Sequence, residues 1–281
     1  MRFLRRCVQL AATASLAGFV AGGAAAYTLK PSEAVEVREV TDGRSFVLAD
    51  GRVAVLAGVE VVKPGEGRGS YADEARASLA ELLHSGARLA YGKTREDRYG
   101  RLVVFPLLPD GKTVQSRLVG AGLARVMGSP DNRACIDELL AIEGDARRAR
   151  RGIWRDPDFA IIAATDLTRL RHVEGQFAIV EGVVADAALI RGRLYVNFGD
   201  DRRSDFTVTV APAAVKLFRD GARSSIPDEP RSLVGRTMRV RGFVGSFNGP
   251  EIAVTYPEQI EFPEHGREAA KSDGRERRPN D

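Results

Sequence analysis

"TDGRSFVLADGRVAVLAGVE", residues 41–60, carries two Asp-Gly pairs, Asp42-Gly43 and Asp50-Gly51, each followed by an apolar run. Such a pair between alternating runs marks a β-hairpin, because glycine takes the positive φ that the tight turn needs. The stretch therefore predicts strands in "VEVREV" (35–40), "RSFVLA" (44–49) and "RVAVLAGV" (52–59).

Reading onward, "GEGRGS" (65–70) is a glycine-rich loop and "YADEARASLAELLHSG" (71–86) an amphipathic helix. Ala75, Leu79, Leu82 and Leu83 fall on its apolar face, and Gly86 is placed to cap its end. "ARLAYGK" (87–93) and "RLVVFPLL" (101–108) read as strands on either side of the polar turn "TREDRYG". "TVQSRLVGAGLAR" (113–125) predicts a second helix. "RACIDELLAIEGDARRARRGIW" (133–154) predicts a third, with Ile136, Leu139, Leu140 and Ile142 inside. Arg147, Arg148, Arg150 and Arg151 fall near its C-terminal end, where cations suit the helix dipole. They read as a solvated helix end or a phosphate-binding stripe, diluted by Glu143 and Asp145. "RDPD" (155–158) marks a boundary.

The second half is β-rich. "GQFAIVEGVVADAALI" (175–190), "GRLYVNFG" (192–199) and "DFTVTVAP" (205–212) suggest three strands, and "AAVKLFRDG" (213–221) a short helix. Residues 235–262 suggest two more strands around a Ser-Phe-Asn-Gly hairpin. Three strands, a helix and two strands is the order of a small OB-type barrel. Phe177, Tyr195, Phe198 and Phe206 are core residues or stacking platforms for single-stranded bases, and their period-2 spacing favours the core.

The 281 residues allow two modest domains. Charge is uneven. The first 30 residues hold four basic side chains and no acid, residues 31–157 hold 20 basic and 19 acidic, and residues 158–262 hold 13 and 14. The basic excess of +4 thus lies in the N-terminal segment, and a nucleic-acid partner would need a local patch. That segment has Arg2, Arg5 and Arg6 before an Ala/Gly-rich apolar run ending in Ala24-Ala25-Ala26. It predicts export to the periplasm or beyond, by a cleaved signal peptide or with a retained membrane anchor. Cys7 lies within it, so the mature chain has Cys135 alone and no internal disulfide. His84, His172 and His265 show no metal-ligand spacing. The tail from Pro263 is charged and apolar-poor, which predicts disorder.

Several motifs together carry a family resemblance over about residues 35–155. "DRYGR" (97–101), then "LPDGKTVQSRLVGAGLA" (108–124) and "GIW" (152–154), following the 41–60 hairpin, resemble the staphylococcal-nuclease (thermonuclease) family. The resemblance implies an α+β chain, mainly β. A five-stranded OB barrel with three helices would occupy residues 31–157, and the strand order read above places a second OB-like barrel in residues 158–262. It also implies calcium-dependent hydrolysis of phosphodiesters, with carboxylates on the ion, a glutamate base and two arginines on the phosphate.

At those positions the chain departs from the family. The motif places Arg44 where the first metal-binding aspartate would stand, Glu60 at the second ligand, Val55 at the first arginine and Lys63 at the base. Arg101 is the retained second arginine, or a structural partner of Asp97. Arg98 and Tyr99 are candidate backbone contacts. "VMGSPDN" (126–132) lacks the family's tyrosines. Glu66 or Asp73 could stand in for the base. The expectation is a degenerate calcium site on a module that binds nucleic acid or protein. No cofactor is expected, with Ca²⁺ implied only for a working nuclease. The alternatives are a phosphodiesterase with a relocated site and a cell-envelope scaffold. Partners would be a single-stranded nucleic acid or an envelope protein.

Overall fold

A computed structural model describes residues 29–67, 69–219 and 226–263. Most of the expected export segment and nearly all of the charged tail, including His265, lie outside the described residues. Among the described residues no helix is long and apolar enough to cross a membrane.

The first barrel starts with β1 (Pro31–Ala34), β2 (Val37–Val40), β3 (Ser45–Leu48), β4 (Val53–Leu56) and β5 (Val59–Val61). Helix α1 (Tyr71–His84) leads to β6 (Arg88–Glu96) and β7 (Leu102–Val104). Helix α2 (Val114–Gly120), β8 (Ala124–Val126) and α3 (Ile136–Arg148) complete it. The six-stranded sheet runs β1-β6-β7-β4-β3-β2. Its two ends, β1 and β2, are successive pieces of one chain segment, so a bent first strand closes the sheet. β4 and β7 pair in parallel, with Val55 opposite Val103, and α1 and β6 supply the crossover such a pair requires. Phe46, Leu56, Leu79, Leu83, Leu118 and Leu139 fill the core.

Two expectations differ here. Leu82 packs against the core from the apolar face of α1, but Ile142 is half-buried at the core's rim rather than inside it. The second helix stops at Gly120, and "LAR" continues into β8. The reason is Gly122, which takes φ +71, and a Cβ there would meet the Arg151 carbonyl oxygen at 2.2 Å. The polypeptide must turn, and no other residue fits the turn.

A link with β9 (Ile162–Ala163) and α4 (Leu167–His172) leads to the second barrel. There β10 (Phe177–Val183), β11 (Asp186–Ile190), β12 (Arg193–Asn197) and β13 (Thr207–Val210) precede α5 (Pro212–Arg219). Then come β14 (Thr237–Phe243), β15 (Gly245–Ser246), β16 (Pro250–Val254) and β17 (Ile260–Glu261). The run at 175–190 is one bent strand in two pieces: β10 pairs with β14, β11 with β12. β13 runs parallel to β16. The plan repeats that of the first barrel, with a bent opening strand, a helix after the third strand and a parallel pair between third and last. The sequence reading did not include α4, β9, β15 or β17. Phe198 and Phe206 lie in the second core.

The two barrels meet on the outer face of β10 and β14. Side chains alternate across a strand. Ala178, Val180, Met238 and Val240 point into the second core. Phe177 and Ile179 point the other way and pack with Val62, Tyr71, Ala146, Ile153 and Trp154 of the first half. Arg241 shares that face. Its guanidinium reaches Glu143 of α3 at 2.8 Å, and each side chain is 1% exposed. Arg241 also pairs with Glu261 at 2.5 Å. Arg133 meets Glu258 through two hydrogen bonds from Nε and one from its terminal nitrogen. The Arg147 end of α3 is part of this seam, 3.6 Å from Glu143, so it is not a wholly solvated helix end.

Candidate active-site cleft

A cleft of about 500 Å³ opens where β4, β5, β6 and β7 meet the 127–132 loop. Arg44, Val55, Glu60, Lys63, Asp97 and Arg101 all line it. The fold thus brings together the positions that the resemblance marked, though they span 58 residues of sequence.

The Asp42-Gly43 turn builds the upper edge. The Asp42 carboxylate accepts the backbone N–H groups of Arg44 and Ser45, both at 2.7 Å. Gly43 lets the turn lie against α1, for a Cβ there would sit 2.6 Å from that of Ala75. Arg44 is thereby aimed inward. It donates to the Glu60 carboxylate at 2.6 Å and to the Val59 carbonyl at 3.2 Å. Glu60 is nearly buried, with 8% of its side chain exposed, and Arg44 keeps 30%.

A calcium ion does not fit this donor set. Glu60, at the second ligand position of the resemblance, already holds a guanidinium, and that guanidinium belongs to Arg44 at the first. At about 4 Å and an effective dielectric near 20, a dication beside one unit positive charge meets roughly 8 kcal/mol of repulsion. Among the described residues no group of three or more His, Cys, Asp or Glu is arranged to hold a metal.

The other candidates are equally specific in placement. Val55 is a 5% exposed member of β4 and offers a hydrocarbon wall. Lys63 lies at the mouth, its ammonium 6.0 Å from the centre of the Phe243 ring. The two stand-in bases are elsewhere. Glu66 accepts the Lys63 backbone N–H at 3.1 Å and lines a different cavity with Arg125. Asp73 is an exposed residue of α1, 3.8 Å from Arg76.

Arg101 makes an ion pair with Asp97 at 2.7 Å while lining the cleft, so both readings of this residue describe part of its geometry. Burial pushes the Asp97 carboxyl up. Hydrogen bonds from the Arg101 side chain and from the backbone N–H groups of Arg101 and Tyr99 outweigh this, and hold it below its ordinary value. Gly100 takes φ +73 and closes the turn. Tyr99 projects from it, 66% exposed. The Arg98 and Arg101 guanidiniums lie 4.7 and 5.4 Å from its ring centre.

Sequence reasoning missed several lining residues. Thr94 and Asn132 bridge the sides of the cleft, the Asn132 amide donating to the Thr94 carbonyl at 2.9 Å. Gln115 is fully buried beneath and donates to the carbonyls of Ala57 and Val104. Phe243 comes from the second barrel. Gln115 stands beside Ser116 and Arg117 in the sequence, so no local signal set it apart. Nothing local announced Phe243.

Comparison with known proteins bears on this constellation. Residues 55–156 match the model of the staphylococcal nuclease homologue family. This segment is a staphylococcal-nuclease-like domain. The chain is 36% identical over 98 residues to the SPbeta prophage-derived endonuclease YokF of Bacillus subtilis, covering 34% of this chain and 33% of that protein. It is likewise 36% identical over 98 residues to endonuclease YncB of the same organism, with 34% of this chain and 46% of that one covered. It is 29% identical over 126 residues to an uncharacterized endonuclease of Escherichia coli O157:H7, covering 43% of this chain and 77% of the relative. The chain therefore spans a third of one Bacillus relative and under half of the other. The family match ends at residue 156, before the second barrel begins.

Proposed function

We propose that this nuclease-family protein is exported and has kept the cleft as a metal-independent binding site for a nucleic-acid strand, while losing calcium-dependent hydrolysis. The observation that carries the reading is the 2.6 Å contact between Arg44 and Glu60, which puts a fixed cation where an ion would sit. Two further losses agree with it. Val55 removes one phosphate-stabilising arginine, and Lys63 removes the base that would take a proton from water. What is left suits binding. Lys63 has no ion pair to a described residue, and Arg101, with 34% of its side chain exposed, can share its guanidinium with a phosphate oxygen. The test incubates purified protein with labelled single-stranded DNA and RNA in calcium, magnesium, manganese or chelator. Binding without cleavage in all four conditions is expected. Cleavage that chelator stops overturns the reading.

A second reading is a metal-dependent endonuclease with a relocated site, and the printed names of the relatives favour it. It would keep Glu60 as one ligand and recruit a second carboxylate from the cleft wall, where Glu96 and Asp97 also lie. The two readings separate on one substitution: loss of Glu60 abolishes activity in the second and leaves no activity to lose in the first.

A further inference from the structure

We infer that the second barrel completes the cleft of the first, with Phe243 as a platform on which an unstacked base of a single strand lies. The inference rests on the binding function proposed above and adds to it the strand type and the residue that selects it.

Three observations converge on Phe243. First, it lines the same cleft as Arg44, Lys63 and Arg101 although it belongs to β14 of the other barrel. Its placement follows from strand period. Arg241, two residues earlier, points to the first barrel and is locked to Glu143, so Phe243 must emerge on that side one pleat further on. Second, its ring is held but open. Its neighbour across β10 is the buried Phe177, with ring centres 5.9 Å apart and planes at 80°. That edge contact fixes the ring's direction and leaves 42% of the residue exposed. Third, a cation lies beside it. The Lys63 ammonium lies 6.0 Å from its centre. Beyond the cleft, Tyr99 is a second exposed aromatic, with the Arg101 guanidinium over its ring.

Aromatic faces beside basic side chains are what single strands require: the ring takes a base, the cation takes the neighbouring phosphate. A duplex keeps its bases stacked and could use only the cations. Wild-type protein should thus prefer single strands over duplex, and base-bearing strands over abasic ones of equal charge.

The experiment uses the full chain and three fluorescein-labelled probes of about twelve nucleotides: oligo-dT, the same length of abasic backbone, and a duplex. Fluorescence anisotropy gives the affinities. The expected result is tighter binding of oligo-dT than of the other two, by about 5- to 100-fold. Phe243→Leu should erase that margin without changing abasic binding or the salt dependence. It keeps an apolar contact with Phe177, so the barrel stays folded, and circular dichroism checks this. Phe243→Trp should retain the margin. If wild type favours oligo-dT and Phe243→Leu keeps the preference, the platform is overturned and the binding function stands. If wild type binds oligo-dT and abasic strand alike, the platform is likewise overturned. If wild type binds no probe, the proposed nucleic-acid function fails with it.

Discussion

Glu143 of α3 and Arg241 of β14 form an ion pair at 2.8 Å with both side chains 1% exposed, and it joins one barrel to the other. The pair does not stand alone. Glu143 also accepts the Val126 N–H at 2.7 Å, and Arg241 also holds Glu261. Burial alone would lower the Arg241 pKa, but the Glu143 and Glu261 carboxylates outweigh it and raise it, so the guanidinium stays charged.

Truncating one partner leaves the other charged and dry. Glu143→Ala should lower the unfolding free energy by about 3–5 kcal/mol, read from urea denaturation. Glu143→Leu combined with Arg241→Met should cost less than the sum of the two single changes, because no buried charge is left behind.

Glu261 gives the seam a pH dependence. Burial pushes its carboxyl up, but the charge and hydrogen bond of Arg241, with Arg239 and Arg147, hold it below the ordinary 4.5. A folded value below the unfolded one means that this contribution is complete above about pH 4.5 and is lost as pH falls through the folded value. The denaturation midpoint should therefore drop on acidification below that point. In Glu261→Gln the drop should be shallower.

Tyr256 tests how the second barrel supports the cleft. The Gly128 N–H donates to its hydroxyl oxygen at 2.7 Å, and Gly128 lines the cleft. Tyr256→Phe leaves that N–H unpaired and should cost about 1–3 kcal/mol. Amide hydrogen exchange should show faster exchange in the 127–132 loop.

Arg44 is the residue to change if the cleft is to hold a metal. Arg44→Asp sets a carboxylate beside Glu60. Without calcium the variant should be less stable than wild type, since two anions then share a site. Calcium should bind it with a Kd of roughly 10⁻⁴ to 10⁻³ M and raise its Tm. Calorimetry on wild type should show no such binding.

Much of the fold was legible because its signals are local. The Asp-Gly hairpins, the apolar face of α1 and the order of strands around α5 each depend on residues close in sequence. The errors came from contacts distant in sequence. The α2 boundary failed because Gly122 meets the Arg151 backbone, a contact 29 residues away. Glu143 read as a surface charge among arginines, and its true partner lies 98 residues further on.

The cleft divides the same way. The residue types at 44, 55, 60, 63 and 101 could be read from motifs, and with them a cation at a position that the resemblance gives to a metal ligand. Whether Arg44 swings outward or meets Glu60 depends on how the 41–45 turn sits on α1, and that is a tertiary fact. So is Phe243. Sequence determined both barrels and the chemistry on the walls of the first, because backbone propensity and side-chain period act over a few residues. Tertiary structure decided which charges neutralise one another and which aromatic faces the cleft, because Coulomb contact and packing depend on distance in space.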